Sequence, residues 1–169
     1  IDMPDFVFNN IMVHGQTLNE LSSKILLQSN KLFQENKFLN IIVQGDTTTA
    51  YSLALSAFHF QIPVIHLEAG LRTNNKYSPF PEEINRRLIS QIASIHLCPT
   101  ILSVTNLQKE QITNGVHLVG NTVVDIYKYI FENTSPSNNI QDIIDNCKDY
   151  VVVTLHRREN RGEKIKKMW

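Results

Sequence analysis

The sequence predicts an α/β fold built on a parallel sheet, and two features indicate this class. Short apolar runs of strand length alternate with longer segments of helical periodicity along the chain. Glycine, proline and polar residues separate the two kinds of segment. The length of 169 residues is sufficient for one domain and part of another. We therefore expect successive strands to be joined by helical crossovers, as parallel pairing requires.

The first third of the chain predicts a helix, a strand and a second helix. Residues 1–16 show no regular period and suit a frayed end or a linker. Thr17 and Glu20 then match a capping box, and apolar residues at helical spacing continue that helix to about Asn36. The apolar run 39–43 predicts a strand, and a second helical stripe covers 48–58.

The middle of the chain repeats this alternation. Pro81 suits the first position of a helix, and Pro99 suits the end of a strand. The pattern predicts strands at 63–67, 95–98 and 116–119 and helices at 81–92, 101–110 and 122–131.

A polar stretch, NTSPSNN at 133–139, is the clearest linker in the chain. A short helix at 140–147 and a β-branched strand at 150–154 are predicted after it. We therefore predict an N-terminal domain at 1–135, a linker with a short helix at 136–149, and the beginning of an incomplete second domain at 150–169.

Composition excludes several classes of function. Sixteen basic side chains balance sixteen acidic ones, which gives no indication of nucleic acid or an anionic membrane as a partner. No apolar run approaches the roughly 18 residues of a membrane span, and no signal-peptide pattern is present. Cys98 and Cys147 match no metal-ligand spacing and suit inert thiols in a reducing, cytoplasmic compartment. We therefore expect no metal site.

Three carboxylates occupy positions that a parallel sheet would bring together. Asp46 and Glu68 each follow a predicted strand, and Glu82 lies at the start of the next helix. Ligands of open α/β sheets bind outside the carboxyl ends of the strands. The sequence therefore predicts a site with several carboxylates at this edge of the sheet.

Five motifs carry a family resemblance. They are GDTTTA at 45–50, HLEAGLRT at 66–73, SPFPEEINRR at 78–87, GNTVVD at 120–125 and HRREN at 156–160. In this order and spacing they resemble the non-hydrolysing UDP-N-acetylglucosamine (UDP-GlcNAc) 2-epimerases. The resemblance implies two Rossmann-like domains facing each other across a cleft, as in GT-B glycosyltransferases. We expect the first strand of the first domain and most of the UDP-binding second domain to be missing from this chain.

The resemblance also implies a reaction and roles for individual residues. The family interconverts UDP-GlcNAc and UDP-ManNAc, a precursor of surface polysaccharide, by eliminating UDP to give 2-acetamidoglucal and adding it back. By resemblance, Asp46, Glu68, Glu82 and His156 are the catalytic residues. Arg72, Asn121 and Arg157 are expected to bind substrate, and Arg72 could orient the carboxylates by pairing with them. A homodimer, activation by a second UDP-GlcNAc and the absence of a cofactor are further expectations.

Each of these residues also has a purely structural explanation, which the sequence leaves open. Asp46 could be a helix N-cap, and Glu68 could form a salt bridge with Arg72. Glu82 and Glu83 could be a first-turn pair that opposes the helix dipole. The same holds for two further positions: His156 could be a surface or turn histidine, and Gly120-Asn121-Thr122 could be only a turn and cap.

Other functions also remain open. A hydrolysing 2-epimerase releases free ManNAc and UDP, and a GT-B glycosyltransferase transfers sugar from a UDP donor. An inactive sugar-nucleotide-binding fragment is a third alternative. The chain has neither G-x-G-x-x-G nor a P-loop motif, which argues against a nicotinamide or P-loop nucleotide. The H-x-E of His66 and Glu68 lacks the P-C-x-x-C of zinc deaminases.

Overall fold

The computed structural model of the protein describes residues 4–147 and 149–154. Its centre is a four-stranded sheet in the order β1-β2-β3-β4. The strands are β1 (Ile41–Gln44), β2 (Val64–Leu67), β3 (Ile95–Cys98) and β4 (Val116–Leu118). Each strand pairs in parallel with the next one along the chain. This confirms the predicted α/β class.

Six helices lie in the described part of the chain. They are α1 (Leu18–Glu35), α2 (Thr48–His59), α3 (Glu82–Ile92), α4 (Ile101–Lys109), α5 (Val123–Asn133) and α6 (Asn138–Asn146). The capping box at Thr17 is confirmed, since its side chain accepts from the Glu20 N–H and Glu20 accepts from the Thr17 N–H. Pro81 occupies the N-cap of α3 rather than the first helical position.

The main apolar core lies where α1, α2 and α3 cover β1 and β2. Its buried members come from all five elements and are Phe33, Val43, Ala50, Ala54, Ala57, Val64 and Ile89. Small alanines on α2 allow neighbouring backbones to approach closely, while Phe33 packs edge-on against Phe38 and Phe60. This core fixes the carboxyl ends of β1 and β2 relative to α3.

A second cluster fixes the segment that follows β2. Ala69, Cys98 and Leu107 are its buried members. Gly70, at φ +84°, lies so close to α4 that a Cβ there would be 2.3 Å from the Ser103 carbonyl oxygen. The Asn106 amide also donates to the Gly70 carbonyl oxygen at 3.0 Å. The backbone just beyond Glu68 is therefore held against α4.

Helix α3 buries a polar face. Glu83, Asn85, Ile89 and Ser90 are its buried residues, whereas Ile84 and Leu88 are exposed. The helix was predicted correctly, but its apolar spacing does not mark the face that packs inward. The buried polar groups are hydrogen-bonded, as burial of such groups requires.

The chain divides into two compact units, Ile1–Ile126 and Tyr127–Trp169. In the second unit, α6 has no buried residue. The strand predicted at 150–154 is wrong, because these residues form no strand and no described segment pairs with them. The domain boundaries at 135 and 150 remain predictions.

Candidate active site

Asp46 and Glu68 lie at the same edge of the sheet, as the sequence predicts. Gln44 of β1 pairs in register with Leu67 of β2, and the Gly45 N–H donates to the Leu67 carbonyl oxygen at 3.0 Å. Glu68 therefore begins the loop after β2 directly beside the end of β1, and Asp46 follows one residue beyond Gly45.

The Glu68 side chain folds over the neighbouring strand. Its Oε2 lies 3.5 Å from the position that a Cβ on Gly45 would occupy. Glu68 itself has a φ of +68°, a left-handed conformation that is unusual for a residue with a side chain. Such conformations cost about 1–3 kcal/mol and cluster at functional sites. Within the described residues Glu68 takes part in no ion pair, so its carboxylate is available to a ligand.

A cleft of about 640 Å³ opens in front of Glu68. Its lining combines apolar side chains with a few polar groups and comprises Gln44, Leu67, Glu68, Asn121, Thr122, Val123 and Ile126. This mixture is typical of small-molecule sites. Asn121 and Glu68, both predicted site residues, therefore share one cavity. Asn121 also accepts from the Val123 N–H at 3.0 Å, so its predicted capping role is present too.

Asp46 is held by helix α3. Its carboxylate accepts from Nε of Arg86 at 2.9 Å and also from Nη2 of the same guanidinium. The Asn85 amide donates to the Asp46 carbonyl oxygen at 2.9 Å. The alternative that Asp46 caps α2 is wrong, because Thr47 fills that position and accepts from the Ala50 N–H at 3.1 Å.

Glu82 lies on the same side of α3 as the residues that hold Asp46. It precedes Asn85 by three positions and Arg86 by four, which places all three on one helix face. Its side chain is half-buried and has no ion-pair partner among residues 4–147 and 149–154. Its place in the first turn also fits the alternative that it opposes the helix dipole.

Arg72 is not paired with Glu68, so the alternative that Glu68 serves only as its salt-bridge partner is wrong. Its side chain is 2% exposed and binds both carboxylate oxygens of Glu110, with Nε at 2.8 Å and Nη2 at 2.7 Å. It also donates to the Ser90 hydroxyl at 3.1 Å. Glu110 is the C-cap of α4, and no local pattern indicates that it lies near residue 72. A substrate-binding role for Arg72 remains a prediction.

Glu83 is a member of the site that the sequence did not identify. It is fully buried and accepts from the backbone N–H groups of Thr73 and Asn74 and from the Arg86 and Arg87 side chains. Desolvation acts to raise the pKa of Glu83, but the hydrogen bonds from Thr73 and Arg87 outweigh it and hold that pKa below its usual value. The only signal in the sequence was its position next to Glu82 in the motif SPFPEEINRR.

A network of ion pairs runs along α3 as a result. Asp46 contacts Arg86, Arg86 contacts Glu83, Glu83 contacts Arg87, and Arg87 contacts Glu110 at 3.1 Å. With Arg72 included, three guanidinium groups balance three carboxylates. Glu68 and Glu82 stand outside this network in the described part of the molecule, so the predicted acids occupy two different electrostatic environments.

His66 helps to fix the edge of the sheet that carries Asp46 and Glu68. It is fully buried in β2, and its Nε2–H donates to the Gly45 carbonyl oxygen at 2.8 Å. Burial lowers the pKa of His66 to about 4, which keeps the imidazole neutral at neutral pH. A carbonyl oxygen only accepts, so the neutral ring carries its proton on Nε2. The contact fixes Gly45, the residue between β1 and Asp46.

Two predicted site residues, His156 and Arg157, lie outside the described residues. Their roles remain predictions. Among the described residues, no group of three or more histidine, cysteine, aspartate or glutamate side chains could hold a metal ion. No described helix is long and apolar enough to cross a membrane.

Comparison with known proteins identifies the family. The model of the UDP-N-acetylglucosamine 2-epimerase family matches residues 1–169. The chain is 42% identical to the UDP-N-acetylglucosamine 2-epimerase of Bacillus subtilis over 167 residues, which are 98% of this chain and 43% of that protein. The chain therefore spans less than half the length of this relative.

Solved structures give the same result. The UDP-GlcNAc 2-epimerase of Neisseria meningitidis, bound to UDP-GlcNAc, matches with a TM-score of 0.79 and 39% identity, over 93% of this chain and 44% of that one. The enzyme of Methanocaldococcus jannaschii, in complex with UDP-GlcNAc and UDP, matches with a TM-score of 0.81 and 36% identity, over 94% and 44% of the two chains. The chain belongs to the UDP-N-acetylglucosamine 2-epimerase family.

Proposed function

We propose that this chain supplies the catalytic carboxylates of a non-hydrolysing epimerase that interconverts UDP-GlcNAc and UDP-ManNAc. The observation that carries the proposal is the convergence of the Glu68 carboxylate and Asn121 on one cleft, with Asp46 at the adjacent strand end. Family membership supports the nature of the substrate, since relatives bind UDP-GlcNAc or UDP.

The chemistry explains why several carboxylates are needed. The C2–H bond of the sugar is not adjacent to a carbonyl group, so direct proton removal is difficult. Loss of UDP from C1 together with the proton from C2 gives 2-acetamidoglucal, and return of UDP to C1 with protonation on the other face of C2 gives the epimer. This route requires an acid or base near each face of C2 and stabilisation of positive charge at C1.

The two strand-end carboxylates suit different steps of this route. Glu68 borders the cleft and has no ion pair in the described structure, which suits a group that gains and loses a proton. Asp46 is held by Arg86 and suits a group that stabilises developing positive charge. Glu82, on the α3 face that reaches Asp46, is the third acid of this proposal.

The diphosphate needs cationic and backbone donors. His156 and Arg157, in the HRREN motif, are the residues proposed for that role on the basis of the family resemblance. Asn121 precedes α5 at the cleft, and a helix N-terminus of this kind favours an anionic group. In this scheme Arg72 influences the substrate only indirectly, because its guanidinium group is already bound to the Glu110 carboxylate.

The same resemblance supports three further parts of the proposal. The product would be a precursor for surface polysaccharide, the enzyme would act as a homodimer in the cytoplasm, and a second UDP-GlcNAc would activate it.

The motifs HRREN and GDTTTA favour the non-hydrolysing reaction over the hydrolysing one. The three proposed acids, of which Glu68 lines the cleft and Asp46 follows the adjacent strand, favour an epimerase over a sugar transferase.

Proton NMR in deuterated water tests the proposal. The protein, expressed from its complete gene, is incubated with UDP-GlcNAc. We expect deuterium at C2 of the recovered UDP-sugars and the appearance of UDP-ManNAc. Free ManNAc as the main product, transfer of sugar to an acceptor, or unchanged UDP-GlcNAc would contradict it. The 169-residue chain alone is expected to turn over little or no substrate.

A further inference from the structure

Glu83 joins parts of the site that are far apart in the sequence. One carboxylate oxygen, Oε2, accepts from the Thr73 N–H at 3.0 Å and from Nη1 of Arg86 at 3.4 Å. The other, Oε1, accepts from the Asn74 N–H at 3.2 Å and from Nε of Arg87 at 3.0 Å. A single buried side chain thus contacts the loop after β2 and two guanidinium groups of α3.

Through these contacts Glu83 is connected to each of the three predicted catalytic acids. The loop that contains Thr73 and Asn74 begins at Glu68, five residues earlier. The Arg86 guanidinium that contacts Glu83 also holds the Asp46 carboxylate, with Nε at 2.9 Å. Glu82 is the adjacent residue in the first turn of α3. Displacement of Glu83 would therefore affect all three acids together.

We propose, resting on the function proposed above, that Glu83 is a positioning residue that fixes the relative placement of Glu68, Asp46 and Glu82. It does not reach the cleft, because it is fully buried and its oxygens are occupied by four donors. Its effect on the reaction is exerted through Arg86 and the backbone of residues 73–74.

A positioning role differs in its consequences from a contribution to fold stability alone. Loss of stability reduces the amount of folded enzyme, so every rate falls by the same factor. Misplacement of the acids changes the fraction of bound 2-acetamidoglucal that is converted to the epimer and the fraction that is released from the enzyme. The ratio of released 2-acetamidoglucal to UDP-ManNAc formed, measured on one sample, is independent of the amount of folded enzyme.

The test uses the protein expressed from its complete gene and the Glu83→Gln variant. Gln keeps the shape of the side chain but loses the charge and one of the two acceptor oxygens. We expect the ratio of released intermediate to epimer to rise by about tenfold, because small displacements of catalytic groups have large effects. Arg86→Lys is a second variant, since the ammonium group keeps the charge but lacks the rigid planar donors with which the guanidinium holds Asp46 and Glu83. It should move the ratio in the same direction.

Ser29→Ala is the matched control. Ser29 makes a buried hydrogen bond to Ser56, which lies near the end of α2 that is farther from Asp46. Loss of this bond destabilises the fold, and neither serine contacts the acids. The control should leave the ratio unchanged. A Glu83→Gln or Arg86→Lys enzyme that loses activity while keeping the wild-type ratio would overturn the proposal.

Hydrogen exchange measured by mass spectrometry separates this inference from the proposed function. In Glu83→Gln, a peptide that covers Thr73 and Asn74 should exchange at least about tenfold faster than in the wild type, because opening of the loop is no longer opposed by two hydrogen bonds. Unchanged exchange would overturn the anchoring role, whatever the activity. If the wild type leaves UDP-GlcNAc untouched, the proposed function fails, while faster exchange in the variant still supports Glu83 as the anchor of the loop.

Discussion

The Glu68 carboxylate packs over Gly45, with Oε2 only 3.5 Å from the position that a Cβ on that glycine would occupy. Gly45 has a φ of +71° and connects β1 to Asp46. This contact brings the Glu68 carboxylate beside the residue that precedes Asp46, so the two acids that follow β1 and β2 lie close together. A side chain at position 45 would place its Cβ in van der Waals contact with the Glu68 carboxylate, in a backbone conformation that residues with a side chain rarely adopt.

Gly45→Ala is expected to lower both stability and activity. An alanine in the left-handed region costs about 1–2 kcal/mol, and its methyl group would touch the Glu68 carboxylate. Gly15→Ala is the matched control, because Gly15 has a similar φ of +78° and open space around it. Urea denaturation should show similar losses in the two variants, and C2 deuterium exchange should fall only in Gly45→Ala. Equal exchange in both variants would show that the contact with Glu68 has no effect on the reaction.

Glu110→Gln is expected to destabilise the fold by about 2 kcal/mol. The change leaves the Arg72 guanidinium, which is 2% exposed, without its bidentate partner. Breaking a fully buried ion pair costs about 3–5 kcal/mol, and partial exposure of Glu110 reduces that figure. Glu35→Gln is the control, because its pair with Lys31 is exposed and should contribute less than about 1 kcal/mol. Denaturation midpoints that coincide for the two variants would contradict the assigned pairing.

Ser29 and Ser56 should show strong coupling in a double-mutant cycle. Their hydroxyl groups lie 2.8 Å apart between α1 and α2, and both are buried. Ser29→Ala leaves the Ser56 hydroxyl without that partner and should cost about 1–3 kcal/mol. The double alanine variant should cost less than the sum of the single variants, since it leaves no unpaired hydroxyl of the two. Additive losses in denaturation experiments would show that the two hydroxyl groups do not interact.

His66 is expected to make stability depend on pH between about pH 7 and 5. Burial lowers the pKa of His66 to about 4, below the ordinary value of 6.5. The unfolded chain therefore binds a proton that the folded chain does not, so stability falls as pH falls from 6.5 toward 4. His66 should contribute a loss of about 2 kcal/mol between pH 7 and 5. Burial also lowers the pKa of His96, which acts in the same direction.

His66→Gln isolates this contribution. Gln can donate to the Gly45 carbonyl oxygen but cannot take up a proton in this range. Urea denaturation at pH 7 and pH 5 should give a smaller difference for the variant than for the wild type. The same difference in both proteins would assign the pH dependence to other groups.

Local patterns were sufficient for most of the fold. Capping residues and helical spacing located α1 and α2, and short apolar runs located the four strands within one or two residues. The parallel order placed Asp46 and Glu68 at one edge. The strand predicted at 150–154 failed because a strand depends on a neighbour, which composition alone does not supply.

Long-range pairing could not be predicted. Glu82 and Glu83 are neighbours of the same type, and only the rotation of α3 decides which one is buried. The apolar residues Ile84 and Leu88 do not mark the inward face of α3, because they are exposed and hydrogen-bonded polar groups lie on the buried face. Arg72 likewise has an acid four residues before it, yet it binds Glu110, which is 38 positions away.

The rate of deuterium exchange at C2 in Glu68→Gln, measured on the protein expressed from its complete gene, tests whether Glu68 transfers a proton in the reaction. Glu35→Gln is the matched control, since it removes an exposed carboxylate from α1. Because general acid–base groups contribute about 10²–10⁴-fold, we expect Glu68→Gln to exchange at least about 100-fold more slowly than wild type and Glu35→Gln to be unchanged. Exchange at the wild-type rate in a folded Glu68→Gln protein would show that Glu68 does not transfer the C2 proton.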